Sequence, residues 1–246
     1  MRRLFPLLLA AQLCGQAFAQ NIPGIDEIIA RNIQARGGMN KLAGIRTIRA
    51  VYSTEEDGKP VRLVEMQKRP HKLRRNISVE KNTIIFAYDG STAWQFSSSR
   101  GNPAPAPPDL ALELKEEADI DGSLVNYKEK GSTVELTGRE KINGTDVYNL
   151  KITLREGQVR NIYLDARSFL EVKETGFYQQ AGKRIDFVTI FRDYRPVEGV
   201  LFPFVIEQKA GDEENQSTYL KKIELNLPIA DSVFTMSAVP SKGGAK

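Results

Sequence analysis

From Arg46 to Leu225 the chain reads as a succession of short alternating segments, nearly all closed by a turn signal. Asp89-Gly90, Asn143-Gly144, Glu156-Gly157, Asp165-Ala166, Ala181-Gly182, Glu198-Gly199 and Gly211-Asp212 fall at such junctions. Turn pairs of this kind between alternating runs mark strands joined by tight connections. Strands are expected over 48–52, 61–68, 72–79, 83–88 and 93–96. A second series is expected over 134–137, 146–154, 158–164, 170–178, 184–194, 200–207 and 218–225. Connections this short favour antiparallel neighbours in a meander. Roughly eleven to thirteen strands exceed what a flat open sheet holds without curling.

One stretch breaks the series. Residues 101–108 carry four prolines and cannot form a central strand. A helix is expected after them, capped by Asp109, with Leu110, Leu112, Leu114, Ala118 and Ile120 set among charges. A clearer helix precedes the strands. Ile25, Ile28, Ile29 and Ile33 share one face at helical spacing, Asp26 and Glu27 suit its first turn, and Gly37-Gly38 stops it. A shorter helical piece at 40–43, capped by Asn40, follows.

The first 19 residues are set apart as a secretory signal peptide. Met1-Arg2-Arg3 leads an apolar run from Leu4 to Leu13, and Ala17-Phe18-Ala19 precedes Gln20. The run is too short to span a bilayer, and Leu13 before Cys14 does not suit lipoprotein processing. Residues 20–239 are expected to form one domain, and 240–246 a disordered tail. The chain has 35 basic and 31 acidic residues. Loss of Arg2 and Arg3 leaves a net charge of +2, which argues against nucleic acid as a partner. The sole cysteine, Cys14, leaves with the signal, so no disulfide or thiolate metal site is expected.

Several short motifs then occur in a particular order. Ala35-Arg36-Gly37-Gly38 leads to Leu42 and Ile45-Arg46-Thr47-Ile48. Tyr88-Asp89-Gly90 comes with Trp94, and Tyr163-Leu164-Asp165 precedes a strand pair. Phe191-Arg192-Asp193-Tyr194 is followed by Leu201-Phe202-Pro203, and Phe234 closes the run. In this order and spacing the chain resembles the outer-membrane lipoprotein-sorting proteins, the superfamily of the periplasmic lipoprotein carrier. The resemblance implies a mainly β (α+β) fold: a strongly curved antiparallel sheet forming an incomplete barrel, its concave side covered by helices. It also implies an apolar space between sheet and helices that holds lipid or acyl chains.

The strand faces are compatible with that. Ile185, Phe187, Thr189 and Phe191 share one face, as do Val200, Phe202, Phe204 and Ile206, and Trp94 shares a face with Phe96. The expected lipid-binding cavity is therefore lined by Trp94, Phe96, Phe187, Phe202 and Phe204 and covered by Ile25, Ile29 and Ile33. Aromatic residues alternating along strands also serve as plain core, and the residues alone leave both readings open. Each buried methylene contributes ~0.8 kcal/mol, so a sixteen-carbon tail offers about 12 kcal/mol before ordering costs. Only a deep site under a movable cover captures most of that and still releases the guest. Residues 101–120 are the candidate lid.

Other signals point away from chemistry. His71, the sole histidine, has no partner for a metal site, and Ser97 to Ser99 lack a nucleophile-elbow sequence. Glu116, Glu117, Asp119 and Asp121 read as a solvated helix end, with a Ca²⁺ contact as the alternative. Lys68, Arg69, His71, Lys72, Arg74 and Arg75 read as a charged exposed edge, with attraction to anionic headgroups as the alternative. The expected activity is that of a periplasmic, monomeric carrier or binding protein for lipids or lipoprotein acyl chains, with inner- or outer-membrane envelope proteins as partners, no cofactor and no catalysis. The alternative is a cell-envelope sensor or scaffolding module that uses the same fold to bind a protein.

Overall fold

The structure is a computed structural model that describes residues 23–238 other than 181. The expected signal peptide and tail lie outside the described residues. Two helices open the described chain, α1 (Ile25–Ala35) and α2 (Met39–Gly44). Then come β1 (Thr47–Glu56), β2 (Lys59–Lys68), β3 (Lys72–Val79), β4 (Asn82–Tyr88), β5 (Ala93–Ser97) and the two-residue β6 (Ala104–Pro105). Helix α3 (Pro108–Glu117) interrupts the sheet. After it follow β7 (Thr133–Ile142), β8 (Thr145–Thr153), β9 (Val159–Asp165), β10 (Glu171–Gln180), β11 (Lys183–Val197), β12 (Val200–Ala210) and β13 (Gln216–Leu225). Two 3-10 turns, Asp231–Phe234 and Met236–Ala238, end the described chain.

All thirteen strands belong to one antiparallel sheet, in the order β6-β5-β4-β3-β2-β1-β13-β12-β11-β10-β9-β8-β7. Every hairpin pairs with its neighbour in sequence, and β13 returns to β1. The ring is cut at one place only, between β6 and β7, where the proline-rich stretch and α3 are inserted. Prolines 103, 105, 107 and 108 remove the backbone donors that a further ladder needs, so the sheet stays an incomplete barrel.

Its curvature follows from α3. That helix packs against β3, β4 and β5 on one arm and β10 on the other. Eight interstrand steps separate β5 from β10 in the sheet order. Laid flat they would span roughly 38 Å at ~4.8 Å per step, against about 15 Å for a ten-residue helix. One short helix touches both arms because the sheet curls around it.

Cross-strand pairs identify the inner face. One row runs Ile84, Ile77, Leu63, Tyr52, Leu220, and the next runs Phe86, Arg75, Glu65, Ala50, Ile223. On the other arm the rows are Leu136, Leu150, Ile162, Glu174, Thr189 and Val134, Ile152, Arg160, Gly176, Phe187. Helix α1 lays Ile28 and Ile29 on Leu150, Ile152, Ile162 and Leu164. Leu42 and Ile45 pack on Ile48, Ala50, Val200, Leu220 and Leu225. Leu114 and Ala118, from α3 and its end, pack on Leu73 and Ala93.

The helix caps differ from expectation. Helix α2 starts at Met39 after Gly38, and α3 starts at Pro108 after Pro107, with Asp109 in its first turn. Proline needs no donor at a first helical position and brings a helical φ, so it displaces Asp109 from the cap. Gly37, at φ +130°, makes the α1–α2 corner possible: a Cβ there would sit 2.5 Å from the Gly199 carbonyl oxygen. The corner is tied to the β11–β12 turn by the Leu201 N–H, which donates to the Arg36 carbonyl at 2.9 Å.

Candidate functional site: the inner face beneath α3

Helix α3 carries two stripes. Leu110, Leu114 and Ala118 face β3 and β5. Glu113, Glu116 and Glu117 face the charged residues of the sheet. Arg75 on β3 pairs with Glu65 at 2.8 Å and with Glu117 at 3.0 Å. Arg160 on β9 pairs with Glu116 at 2.6 Å and Glu174 at 2.9 Å. Adjacent residues of one helix are thus staked to opposite arms of the half-barrel. The Gln67 side chain adds a donated bond to the Glu117 carbonyl at 2.7 Å.

The segment after α3 is clasped as well. Arg69 holds Asp121 with both terminal guanidinium nitrogens at 2.6 Å, and its Nε and Nη2 donate to the carbonyls of Ile45 and Leu42. Lys130 pairs with Asp119. The acidic run at 116–121 is therefore inward-facing and paired, which corrects its reading as a solvated helix end. The basic run is corrected too. Strand β3 lies between β2 and β4 and is no edge. Lys68 and Lys72 hold Asp231, and Arg74 donates to the Val233 carbonyl at 2.7 Å.

Burial and crowding of like charge shape this band. Desolvation works against the Arg75 charge, but Glu117 and Glu65 overcome it and hold the guanidinium firmly protonated. Desolvation pushes the Glu116 carboxyl up to about 7 in spite of Arg160. It pushes Glu171 up to about 8, helped by Glu174. Glu113 is raised by desolvation and by Glu117. Between the ordinary carboxylate range and about pH 8 the folded protein binds more protons than the unfolded chain. Stability is expected to fall as pH rises through that window and then level off. Thermal melts at pH 5.5, 7 and 8.5 check this, and Glu171→Gln is expected to flatten the slope.

Beyond the charged band the inner face is apolar. Leu63 and Ile77 lie on one arm and Tyr178, Ile185, Phe187 and Ile206 on the other. All are half-buried except Phe187, which is 9% exposed, and none belongs to a packed cluster of the described residues. The Phe187 ring lies over Gly176, stands 6.3 Å from Tyr178, and has the Arg160 guanidinium 5.7 Å from its centroid. A cavity of about 550 Å³ lies on the other side of Arg160, between α3, the segment after it, the β8–β9 turn, β9 and β10, with His71 and Tyr88 at its rim from the other arm.

The residues expected to line or cover a guest fall in three places. Phe187, Phe202 and Phe204 lie on the inner face, but Phe202 and Phe204 pack against the core under α2. Ile29 is buried and Ile25 and Ile33 half-buried, packed on the β8–β9 core. Trp94 and Phe96 are on the opposite face, which corrects their expected place. Their alternates Ala93 and Gln95 point inward, opposite Tyr88 and Phe86. Trp94 is fully buried with Ile85, Ala87 and Met236, and its indole N–H donates to the Phe234 carbonyl at 2.7 Å. Sequence alternation gives the parity of a strand, not which parity faces in, and the covering 3-10 turns are some 140 residues away in the chain. Trp94→Phe is expected to cost about 1–2 kcal/mol, seen in chemical denaturation, by leaving that carbonyl unpaired, and to leave guest binding unchanged.

The inner charges escaped the sequence reading. Asn32, 2% exposed on α1, was equally hidden: its side chain donates to the Phe169 carbonyl at 2.8 Å. One signal was available. Arg75 and Glu65 fall in line with Ile77 and Leu63 on their strands, so an inward charge was readable once the face was known.

No family model matches the sequence, and no curated protein matches it. Solved structures do match the fold. A LolA superfamily protein from Nitrosomonas europaea superimposes with a TM-score of 0.58 at 13% identity, over 89% of this chain and 100% of that one. A DUF1329 family protein from Desulfovibrio piger gives 0.57 at 12%, over 88% and 99%. A putative outer membrane lipoprotein-sorting protein domain from Vibrio parahaemolyticus gives 0.55 at 11%, over 86% and 96%. The chain shares with these structures the open half-barrel that the motif order implied.

Proposed function

We propose that this protein is an exported, periplasmic carrier or binding protein for lipids or lipoprotein acyl chains. The observation that carries the reading is the apolar stretch formed by Leu63, Ile77, Tyr178, Ile185, Phe187 and Ile206. It lies on the inner face of an open half-barrel, outside every packed cluster of the described residues, beside a helix that bridges both arms. A tail laid along it gains burial on both sides, and release needs α3 to lift, parting its two ion-pair stakes and its apolar contacts with Leu73 and Ala93. Buried ion pairs suit such a cover. They fix one closed position through geometry and contribute little net stability over apolar packing. Likeness of fold to a lipoprotein-sorting domain agrees with this use.

Native mass spectrometry of the protein purified from its own periplasm, with organic extraction of what accompanies it, tests the reading. A co-purifying acyl-chain molecule that is lost in Ile206→Asp is the expected result. A guest-free protein that instead captures another envelope protein would favour a sensor or scaffold and overturn the carrier.

A further inference from the structure

The 550 Å³ cavity beyond Arg160 is charged, and its charges do not balance. Most of its cations are already engaged. Lys115 is held by Glu156, Lys130 by Asp119 and the Gly122 carbonyl, and Arg160 by Glu116 and Glu174. Arg155 is exposed. Three carboxyl groups are left over, the exposed Glu129 and two that point into the enclosed part, Glu171 and Glu116. The Glu171 carboxyl makes no hydrogen bond or ion pair among the described residues, while its backbone carbonyl accepts the Tyr194 hydroxyl at 2.8 Å. The Oε1 of Glu116 is enclosed and has no hydrogen-bond partner. The cavity therefore offers carboxylate acceptors without a matching cation, beside the neutral hydroxyls of Ser123 and Ser132.

We propose that this cavity receives a primary ammonium group, carried on the polar end of the amphiphile whose tail lies along the inner face. The inference rests on the carrier reading for the tail but on separate residues for the head. An ammonium brings three donors and no acceptor, which is the complement of what Glu171 and Glu116 present. A metal ion is a poor match, because no group of three or more His, Cys, Asp or Glu among the described residues is placed to hold one. The two sites are contiguous. Arg160 lines the cavity on one side and stands over the Phe187 ring on the other. A head at Glu171 leaves its tail pointed past Arg160 and Gly176 onto Phe187 and Tyr178.

The surroundings of Glu171 fit this use. Glu174 on its own strand and desolvation favour its protonated form, while Arg160 on β9 and Arg36 after α1 oppose that. Tyr194 on β11 is held protonated by burial and by Glu171. Glu116 faces Arg160, Glu156 and Glu113. An arriving ammonium stabilises the carboxylate, so binding at pH 7 is expected to release a proton to the buffer.

Calorimetry on the delipidated protein with dodecylamine, dodecan-1-ol and butylamine, below their aggregation concentrations, tests the inference. Dodecylamine is expected to bind about tenfold or more tighter than dodecan-1-ol. Its heat should change between buffers of different ionisation enthalpy as a proton is released. In Glu171→Gln the amine-to-alcohol ratio is expected to fall to about one. Equal affinity of amine and alcohol in the unmodified protein, or a ratio that survives Glu171→Gln, overturns the ammonium site and leaves the carrier standing. Binding of butylamine as tight as dodecylamine, lost in Glu171→Gln, keeps the ammonium site and overturns the carrier. No binding of any probe overturns both. The proton-release readout uses the unmodified protein and stands whatever the variant does to folding.

Discussion

Arg75→Met is expected to lower the melting temperature by roughly 6–12 °C, the equivalent of about 3 kcal/mol for a chain of this size. Arg75 is the common partner of Glu65 and Glu117, on a sheet face covered by α3. Met fills most of the volume and removes the charge. Two carboxylates then face each other across a desolvated gap, and one must take up a proton or the helix must lift. Breaking a buried pair at one end costs more than removing the whole group. The triple variant Arg75→Met, Glu65→Met, Glu117→Met is therefore expected to regain much of the loss. Differential scanning calorimetry separates the two cases. A single variant as stable as the parent would show that α3 is not held by this stake.

The second large effect is expected on binding. Gly176 lies on the inner face between Arg160 and Phe187, and its φ is not in the left-handed region. A Cβ there would come within 3.0 Å of the Phe187 ring and 3.2 Å of the Val159 carbonyl oxygen. Gly176→Leu puts four carbons where the Phe187 ring now lies and drives that ring into the room beside it on the inner face. If a tail occupies that room, roughly four of its methylenes lose their place, about 3 kcal/mol and about a hundredfold in affinity. The fold should survive, because moving one ring costs about 1–3 kcal/mol and leucine is better than glycine in a strand interior. Titration of a fluorescent acyl probe reads the affinity, and a melt reads the stability. Undiminished binding would place the tail elsewhere.

Much of the architecture was legible along the chain. Turn pairs such as Asn143-Gly144 and Glu198-Gly199 act over a few residues, so the hairpins and their antiparallel sense could be read locally. The isoleucines of α1 marked its buried face in the same way, and the prolines at 103–108 marked the one place where the sheet could not continue. The excess of strands over what lies flat implied curling, and the order of short motifs implied the family of half-barrels.

The candidate site was less legible, because its parts meet only through curvature. Trp94 and Phe96 share a face, and nothing near them in the chain says which side of the sheet that face becomes. The 3-10 turns around Phe234 decide it by covering Trp94 from the far end of the molecule. Glu116 and Glu117 stand next to each other and look like a solvated helix end. They become inward stakes because the sheet brings β3 and β9, far apart in sequence and in strand order, to the two flanks of one ten-residue helix. Backbone preferences and alternation act over short spans, so the strands, their hairpin pairing and the point of interruption are written locally along the chain. Which face is inside, which carboxylates lose their water and where space remains emerge only in the folded molecule. Those depend on how a long sheet bends, and bending joins residues that no local rule relates.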